Sequence, residues 1–297
     1  MGRMRSRANA PPGLFSEANA APEPAAFASV ENAYGIRLGT SSFTARGWEG
    51  TFYPEGMKPA DYLNFYSRQF DTVEVDSTYY RTPSPAMVRR WYEQTPPDFL
   101  FALKVGQTIT HENVMVDCDE ELREFLAAAS LLREKLGPLL LQFPYFNRQA
   151  FSSGADFLSR IEPFLKKLPE GFRFALEIRN KQWLSPRFAD ILRTRGVALT
   201  LIDHPWMARP EQVFGRIDPF TAGFTYIRFL GDRKAIEEQT ESWDKAIIPR
   251  EKELAEWVPV VRRAHDRRIK IFAYANNHYA GHAPATLREF AKLLEKS

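Results

Sequence analysis

Eight short apolar runs rich in β-branched and aromatic residues recur along the chain, with polar or amphipathic stretches between them. The runs are continuous in hydrophobicity rather than alternating, which is typical of parallel strands buried on both faces. Strand and helix repeated eight times predict a parallel sheet covered by helices. The predicted strands are 36–41, 72–77, 99–105, 138–143, 172–178, 197–203, 224–230 and 269–275.

Three of the helical stretches begin with a recognisable capping signal, either a Ser-Pro pair or an acidic residue three positions before a glutamate. These signals are Ser84-Pro85, Ser185-Pro186, and Asp117 with Glu120. The segment 204–222 has little helical period, so we expect a short or missing helix there. Pro259 lies inside an apolar helical pattern and predicts a kink or a break.

The sequence divides into a short tail and one large domain. Residues 1–33 are rich in Ala and Pro and lack apolar periodicity, so we predict a disordered tail. Residues 34–297 have the length of a closed (β/α)8 barrel, typically ~250 residues. An open doubly wound sheet is the alternative, but the loop after the first strand lacks the GxGxxG fingerprint. The predicted fold is therefore a single-domain α/β TIM barrel behind a disordered tail.

Composition limits the classes of function. The 297 residues are 44% hydrophobic and 26% charged, as in ordinary globular proteins, and the formal charge of +3 argues against a uniformly basic nucleic-acid binder. Cys118 is the only cysteine, which excludes an intrachain disulfide and a thiolate metal cluster. No apolar run reaches the roughly 18 residues of a membrane span. We expect a cytoplasmic protein without a membrane partner.

Nearly every predicted strand ends in a polar or charged side chain. In a parallel barrel these ends gather at one face, where active sites lie. In strand order the residues are Thr40 and Ser42, Glu74 and Asp76, Lys104, Gln142, Glu177 and Arg179, Asp203 and His204, Arg228, and Asn276 and Asn277.

Side-chain alternation predicts which of these groups point into the barrel. Glu177 and Arg179 share a strand face with the small Ala175, whereas larger apolar residues share the opposite face. The same parity directs Glu74, Asp76, Lys104 and Gln142 inward. A structural layer of buried ion pairs is the alternative, but each desolvated charge costs several kcal/mol unless it is paired. So many ionisable groups at one mouth favour a functional site.

Loop residues add further candidates. The stretch "YANNHYAGHAP" (274–284) follows the last strand, and Asn276 and Asn277 can donate and accept hydrogen bonds to a ligand. His278 and His282 have the spacing of a two-histidine metal site on a helix, but Gly281 indicates a loop, which disfavours that site. His111 follows the third strand and is a candidate acid or base. Trp48, Trp183 and Trp206 lie in predicted strand-to-helix loops and are candidates for stacking on a ring.

Several blocks of the chain match a known pattern. The stretches "GTSSFTARGWEGTFYP", "DTVEVDSTYYRTPSPAMVRRWYEQ", "LLLQFPYF", "ALEIRNKQW", "YIRFLG" and "YANNHYAGHAP" resemble, in order, the blocks of the YecE-like family of bacterial and archaeal TIM barrels, a family often labelled only as a domain of unknown function. The resemblance runs from about residue 36 to the end and implies a barrel, but supplies no activity. The chain departs from the family pattern at Ser42, where Gly is common, and at Asp76, where Asn is commoner.

Three functions fit the residues. The first is a hydrolase, lyase or isomerase for an anionic or polyhydroxylated small molecule. In it, Lys104, Arg179 and Arg228 would hold the substrate anion. Glu177 would be the main acid or base, partnered by Glu74 or Asp76, with His111 and Asp203 as further catalytic candidates. The remaining substrate contacts would come from Gln142, Asn276, Asn277, Trp48 and Ser42.

The other two functions are a metal-dependent enzyme and a binding protein. Glu74, Glu177, Asp203 and His204 offer donors for a divalent metal, as in phosphoesterase, endonuclease or sugar-isomerase barrels, but the last strand presents Asn where such barrels place a carboxylate. A non-catalytic protein that holds an anion or a nucleic-acid end is the third alternative. The favoured reading has no tightly bound cofactor, and nucleic acid is not its favoured partner.

Overall fold

The computed structural model describes residues 28–297, which form eight parallel strands with helices between them. The strands are β1 (Ile36–Thr40), β2 (Thr72–Val75), β3 (Leu100–Lys104), β4 (Leu136–Gln142), β5 (Phe174–Glu177), β6 (Ala198–Asp203), β7 (Phe224–Phe229) and β8 (Lys270–Ala275). The helices are α1 (Ala28–Tyr34), α2 (Tyr62–Tyr66), α3 (Pro85–Glu93), α4 (Asp119–Ala129), α5 (Gly154–Lys167), α6 (Pro186–Thr194), α7 (Pro210–Phe214), α8 (Arg233–Glu237), α9 (Glu251–Ala255), α10 (Val258–Asp266), α11 (Asn277–Ala280) and α12 (Ala283–Glu295).

The strands curl into a nearly closed barrel in the order β1-β8-β7-β6-β5-β4-β3-β2. A phenol bridges the seam between β1 and β2. The Thr40 backbone N–H donates to the Tyr66 hydroxyl (2.8 Å), and that hydroxyl donates to the Thr72 carbonyl (3.1 Å). The predicted TIM barrel is confirmed.

Two apolar layers hold the barrel together. The larger layer lies between the strands and the surrounding helices. The smaller one fills the barrel interior, where small residues of β3, β5 and β6 face bulky residues of β4, β7 and β8. Its buried members are Ala102, Leu140, Ala175, Ala198, Phe224, Tyr226, Phe272 and Tyr274. This packed floor leaves the polar residues one layer higher, at the carboxyl ends of the strands.

The N-terminal boundary differs from the prediction. Residues 1–27 of the predicted tail lie outside the described residues. Residues 28–33, also assigned to the tail, belong to α1 instead, because Val30 is buried and the Tyr34 hydroxyl donates to the Leu294 carbonyl (3.1 Å). A single apolar anchor in an Ala-rich stretch carries too little periodicity to predict this helix.

Most of the predicted helix signals are confirmed. Ser84 and Ser185 cap α3 and α6 by accepting hydrogen bonds from backbone N–H groups three residues ahead. The helix around Pro259 is broken between α9 and α10, and α7 is only five residues long. The cap predicted at Asp117 is wrong, because Cys118 occupies the cap position without a side-chain bond. No helix within residues 28–297 has the length and apolar character that crossing a bilayer requires.

Adding one methyl group at the seam should open it. A Cβ at Gly39 would lie 2.1 Å from the backbone carbonyl oxygen of Thr72, so one strand must shift. We expect Gly39→Ala to lower the free energy of unfolding by about 1–3 kcal/mol in urea denaturation. Gly223→Ala is the matched control, since no atom lies within 4 Å of its added Cβ. Equal stability of the two variants would contradict this account of the seam.

Candidate active site

A buried ion network forms the floor of the barrel mouth. Arg228 on β7 donates through Nη2 to Glu74 Oε1 (2.7 Å) and through Nη1 to Glu177 Oε2 (2.9 Å). The Tyr226 hydroxyl donates to the other oxygen of Glu74 (2.6 Å). All four side chains are buried. The inward orientation predicted from strand parity for Glu74 and Glu177 therefore brings them together on one guanidinium group.

Glu177 is held as an anion. Arg179 Nε donates to its second oxygen at 2.6 Å. Burial alone would raise the pKa of Glu177, but Arg179 and Arg228 together hold that pKa down to about 2. A carboxylate with such a low pKa takes up a proton poorly at neutral pH. The geometry thus argues against the predicted role of Glu177 as the main acid or base.

The pKa of Asp76 is shifted in the opposite direction from that of Glu177. Asp76 lies just after β2, and its Oδ1 is buried without a hydrogen bond from any described residue, 3.5 Å from Arg228 Nη2. Burial, followed by the nearby charge of Glu74, raises the pKa of Asp76 to about 7, against the opposing effects of Arg228 and Lys104. The side chain is still 33% exposed toward the mouth. A partly exposed carboxyl group with this pKa can gain and lose a proton near neutral pH.

Lys104 and His111 both contact the ring of Tyr79. Lys104 Nζ lies 4.1 Å from the centre of the Tyr79 ring and makes no hydrogen bond or ion pair within residues 28–297. Burial lowers the pKa of Lys104, although Asp76 opposes this effect. His111 packs edge-on against Tyr79 at 4.9 Å, and burial and then Lys104 lower the pKa of His111 to about 4. The mouth therefore presents a lysine amino group that has no hydrogen-bond or ion-pair partner among the described residues, and a neutral imidazole.

The loop that carries His111 is strained. Thr108–Glu112 form a π-helical turn, a rare conformation that is frequent at functional sites. Val114, Met115 and Asp117 then adopt left-handed backbone angles, with φ of 45°, 61° and 48°. Such angles cost free energy in residues other than glycine and cluster at ligand sites. Residues 107–117 contain no glycine, so the sequence contains no signal from which this turn could be predicted.

Asp203 does not belong to the mouth. Its oxygens accept hydrogen bonds from Arg209 Nη1, Trp257 Nε1 (2.8 Å) and the Tyr279 hydroxyl (2.9 Å). With only 6% of the residue exposed, it braces β6 against neighbouring loops. The predicted catalytic role of Asp203 is not supported, because protein donors occupy both of its oxygens.

The last loop braces the barrel through the carboxamide oxygens of its two asparagines. Trp48 is buried, and its Nε1 donates to Asn277 Oδ1 (3.3 Å), which also accepts from the Ala283 N–H (2.9 Å). Asn276 Oδ1 accepts from the His278 N–H (3.0 Å) and caps α11. This short helix occupies part of a predicted loop. The substrate contact predicted for Trp48 is therefore not supported, whereas contacts through the Nδ2 donors of Asn276 and Asn277 stay a prediction.

The other polar candidates keep different positions. Gln142 pairs in register with Glu177 and is buried in the barrel, with its amide donating to the Phe143 carbonyl (2.6 Å). Ser42 accepts from the Thr44 N–H (3.1 Å) in the first loop and remains partly exposed. Trp183 is buried, whereas Trp206 is 64% exposed at the rim. Sequence reasoning missed Tyr226, although it shares a strand face with Arg228 two residues later.

The donors named for a divalent metal do not fit a cation. Glu177 lies between two guanidinium groups, and both oxygens of Asp203 already accept hydrogen bonds from protein donors. His204 Nδ1 accepts from the Trp206 N–H (3.1 Å). In the part of the chain that the structure describes, no three His, Cys, Asp or Glu side chains are grouped to hold an ion. Protein partners already engage three of the four named side chains, which disfavours the predicted four-donor site.

Asp76 should make stability depend on pH. Its folded pKa of about 7 lies above its ordinary value of 3.8, so the folded state binds more protons than the unfolded state between those values. The contribution of Asp76 to stability therefore falls as pH rises from 4 to 7. We expect Asp76→Asn to be more stable than the parent protein by about 1–2 kcal/mol at pH 8, with partial exposure discounted, and equally stable near pH 4.

Thermal unfolding at the two pH values measures this difference. Asp98→Asn changes an exposed aspartate just before β3, at the opposite end of the barrel, and serves as the control. A stabilisation by Asp76→Asn that is the same at pH 4 and pH 8 would contradict the raised pKa.

Comparison with known proteins places the chain in a family. It is 34% identical to UPF0759 protein YecE of Escherichia coli (strain K12) over 135 residues, which span 46% of this chain and 47% of that relative. The match thus covers about half the length of that relative. Identity to UPF0759 protein YunF of Bacillus subtilis (strain 168) is 24% over 268 residues, or 84% of this chain and 93% of the relative.

Solved structures and a family model agree with these relatives. The crystal structure of a DUF72 family protein from Thermotoga maritima MSB8 matches with a TM-score of 0.65 and 25% identity, covering 88% of this chain and 99% of that one. The family model described as "Protein of unknown function DUF72" matches residues 37–297. The chain therefore belongs to the DUF72 family, the YecE-like family that the sequence blocks resemble.

Proposed function

We propose that this protein is an acid–base enzyme, an isomerase or a lyase, that moves a proton on a small anionic, polyhydroxylated substrate at the barrel mouth. The observation that carries the proposal is Asp76. Its carboxyl group has a pKa of about 7, a buried oxygen without a hydrogen bond, and a side chain open to the mouth. An acid–base group works best when its pKa lies near the working pH.

The cations around Asp76 suit an anionic substrate. The amino group of Lys104 has no hydrogen-bond acceptor within the described chain. Arg179 donates to Glu177 through its Nε alone. These two groups would hold the substrate carboxylate or phosphate and stabilise the charge that develops as the proton leaves. Neutral His111 would donate or accept a hydrogen bond at a substrate oxygen.

The buried network would keep this site in place. Arg228 fixes Glu74 and Glu177 below Asp76, and Glu74 is the charge that helps raise the Asp76 pKa. Hydrolysis by a pair of carboxylates is less well supported, because it needs one carboxylate to react or to activate water. Both glutamates are instead tied to a single guanidinium group.

Solvent isotope exchange tests the proposal without knowledge of the product. The protein is incubated in D₂O with a panel of sugar phosphates, sugar acids, hydroxy acids and nucleotide-linked sugars and sugar acids, and deuterium at carbon is read by NMR. Proton abstraction predicts exchange at the carbon next to a carbonyl or carboxylate of at least one compound, and none with heat-denatured protein. A folded protein that exchanges no carbon-bound hydrogen in the panel would contradict the proposal.

A further inference from the structure

The exposed apolar side chains gather at one end of the molecule. Within residues 28–297, five large hydrophobic side chains are exposed: Tyr80, Met87, Val116, Tyr145 and Trp206. Four of them lie in loops that follow strands, and Met87 lies in the first turn of α3. All five therefore surround the barrel mouth. Exposed apolar groups concentrated in this way indicate a contact surface for a ligand or partner.

A cleft of about 510 Å³ opens beside Arg179 at this rim. Its walls come from three consecutive strand-to-helix loops, those after β4, β5 and β6. The lining residues are Tyr145, Arg179, Lys181, Gln182, Pro205 and Trp206. Two of them are cations and none is a carboxylate. Arg179 lines the cleft and also bonds Glu177 in the buried network, so one side chain connects the cleft to the proposed reaction site.

A second cleft at the same rim differs from this one in the charge of its lining residues. This second cleft, of about 500 Å³, lies on the other side of Trp206 and contains Asp232, Glu237 and Glu238 together with two cations. The three acidic side chains of the second cleft would repel a bound anion, and they would compete with that anion for the two cations of the same cleft. An anionic group bound next to Trp206 is thus favoured in the cleft of Arg179 and Lys181.

Contacts within the protein orient the Trp206 ring before any ligand binds. The Trp206 backbone N–H donates to His204 Nδ1 (3.1 Å), and the His204 ring packs edge-on against the indole at 5.2 Å. Tyr145 approaches at 6.5 Å with its plane 73° from that of the indole. With 64% of the residue exposed, the indole keeps a large open surface. A pre-oriented, exposed ring loses little entropy when a planar group stacks on it.

We propose that this cleft binds a nucleotide unit, with its base stacked on Trp206 and its phosphate held by Arg179 and Lys181. The inference rests on the proposed function, because it names the substrate class of the same mouth. Gln182, in the cleft wall, supplies an amide that can pair with a base edge. The source can be a free nucleotide or the end of a single strand, since both present the same base and phosphate.

Calorimetric titration with matched ligands tests the base contact. We expect a nucleoside 5′-monophosphate to bind at least about 10-fold more tightly than ribose 5-phosphate, which lacks only the base, since base stacking contributes ~1–3 kcal/mol. Trp206→Ala should remove this difference. Tyr80→Ala is the control, because it truncates an equally exposed aromatic side chain on the same face but outside the cleft.

Salt and charge variants test the phosphate contact. Lys181→Ala should weaken the nucleotide and the sugar phosphate equally and flatten the dependence of affinity on salt, whereas the exposed Lys270→Ala at the far end of β8 should do neither. A 5′-phosphorylated trinucleotide that binds more tightly than the monophosphate identifies a strand end. Equal binding identifies a free nucleotide. Equal affinity for nucleotide and sugar phosphate, or an unchanged preference in Trp206→Ala, would overturn the proposal.

The titration also separates this inference from the proposed chemistry. Asp76 does not line the cleft, so Asp76→Asn should keep the preference for nucleotide over sugar phosphate. Loss of isotope exchange with nucleotide binding retained would support both proposals. A protein that exchanges substrate hydrogen but prefers the sugar phosphate would refute the nucleotide site alone.

Discussion

Replacing Arg228 by methionine is expected to lower the free energy of unfolding by about 3–5 kcal/mol. Arg228 is the shared partner of Glu74 and Glu177, which are both fully buried. Without the guanidinium group, two carboxylates stay together in a water-poor interior, and each must either remain unpaired or take up a proton. Urea unfolding at pH 7 measures the loss.

An exposed ion pair on the protein surface, Arg267 with Asp218, provides the control. Arg267 makes two parallel 2.8 Å bonds to Asp218, but both side chains are exposed, so Arg267→Met should cost less than about 1 kcal/mol. Adding Glu74→Gln and Glu177→Gln to Arg228→Met should recover part of the lost stability, because the buried charges are then gone. Arg228→Met as stable as Arg267→Met would show that the network does not support the barrel.

Asp76→Asn is expected to slow the proton exchange reaction by at least about 100-fold, the smaller end of the range for removing an acid–base group. The amide keeps the size of the side chain but can neither accept nor release a proton at neutral pH. In the parent protein, the exchange rate at substrate concentrations well below saturation should rise with pH and level off above about 7, as the carboxyl group of the free protein loses its proton. NMR exchange rates from pH 5 to 9 give both results.

Stability distinguishes a lost catalyst from a damaged fold. Asp76→Asn is expected to be at least as stable as the parent at pH 8, so slower exchange in this variant cannot be attributed to unfolding. Asp98→Asn should exchange at the parental rate. An Asp76→Asn variant with unchanged exchange would assign the chemistry to another group.

The barrel could be predicted because its strands carry their signal locally. All eight strands coincide with continuous apolar runs, and alternation within single strands placed Glu74, Glu177 and Lys104 on the inner face. Length, helix breaks and serine caps are local properties too. Those features required no knowledge of which strands are neighbours.

The chemistry of the individual residues could not be predicted in the same way, because it depends on distant partners. The low pKa of Glu177 comes partly from Arg228, 51 residues away in the chain. Asp203 has the sequence position of a catalytic residue, yet Arg209, Trp257 and Tyr279, all later in the chain, donate hydrogen bonds to its two oxygens. Trp48 and Asn277, 229 residues apart, bond to each other. Pairing across the barrel therefore decides which strand-end residues remain available.

The central claim is that Asp76 exchanges its proton near neutral pH, and its titration can be measured without any substrate. Protein labelled with ¹³C at the aspartate carboxyl carbons is titrated from pH 3 to 9 by NMR, and Asp76→Asn identifies the Asp76 signal. The account predicts a midpoint near 7. A midpoint near the ordinary aspartate value of ~3.9 would contradict it, because Asp76 would then be a permanent anion like Glu177.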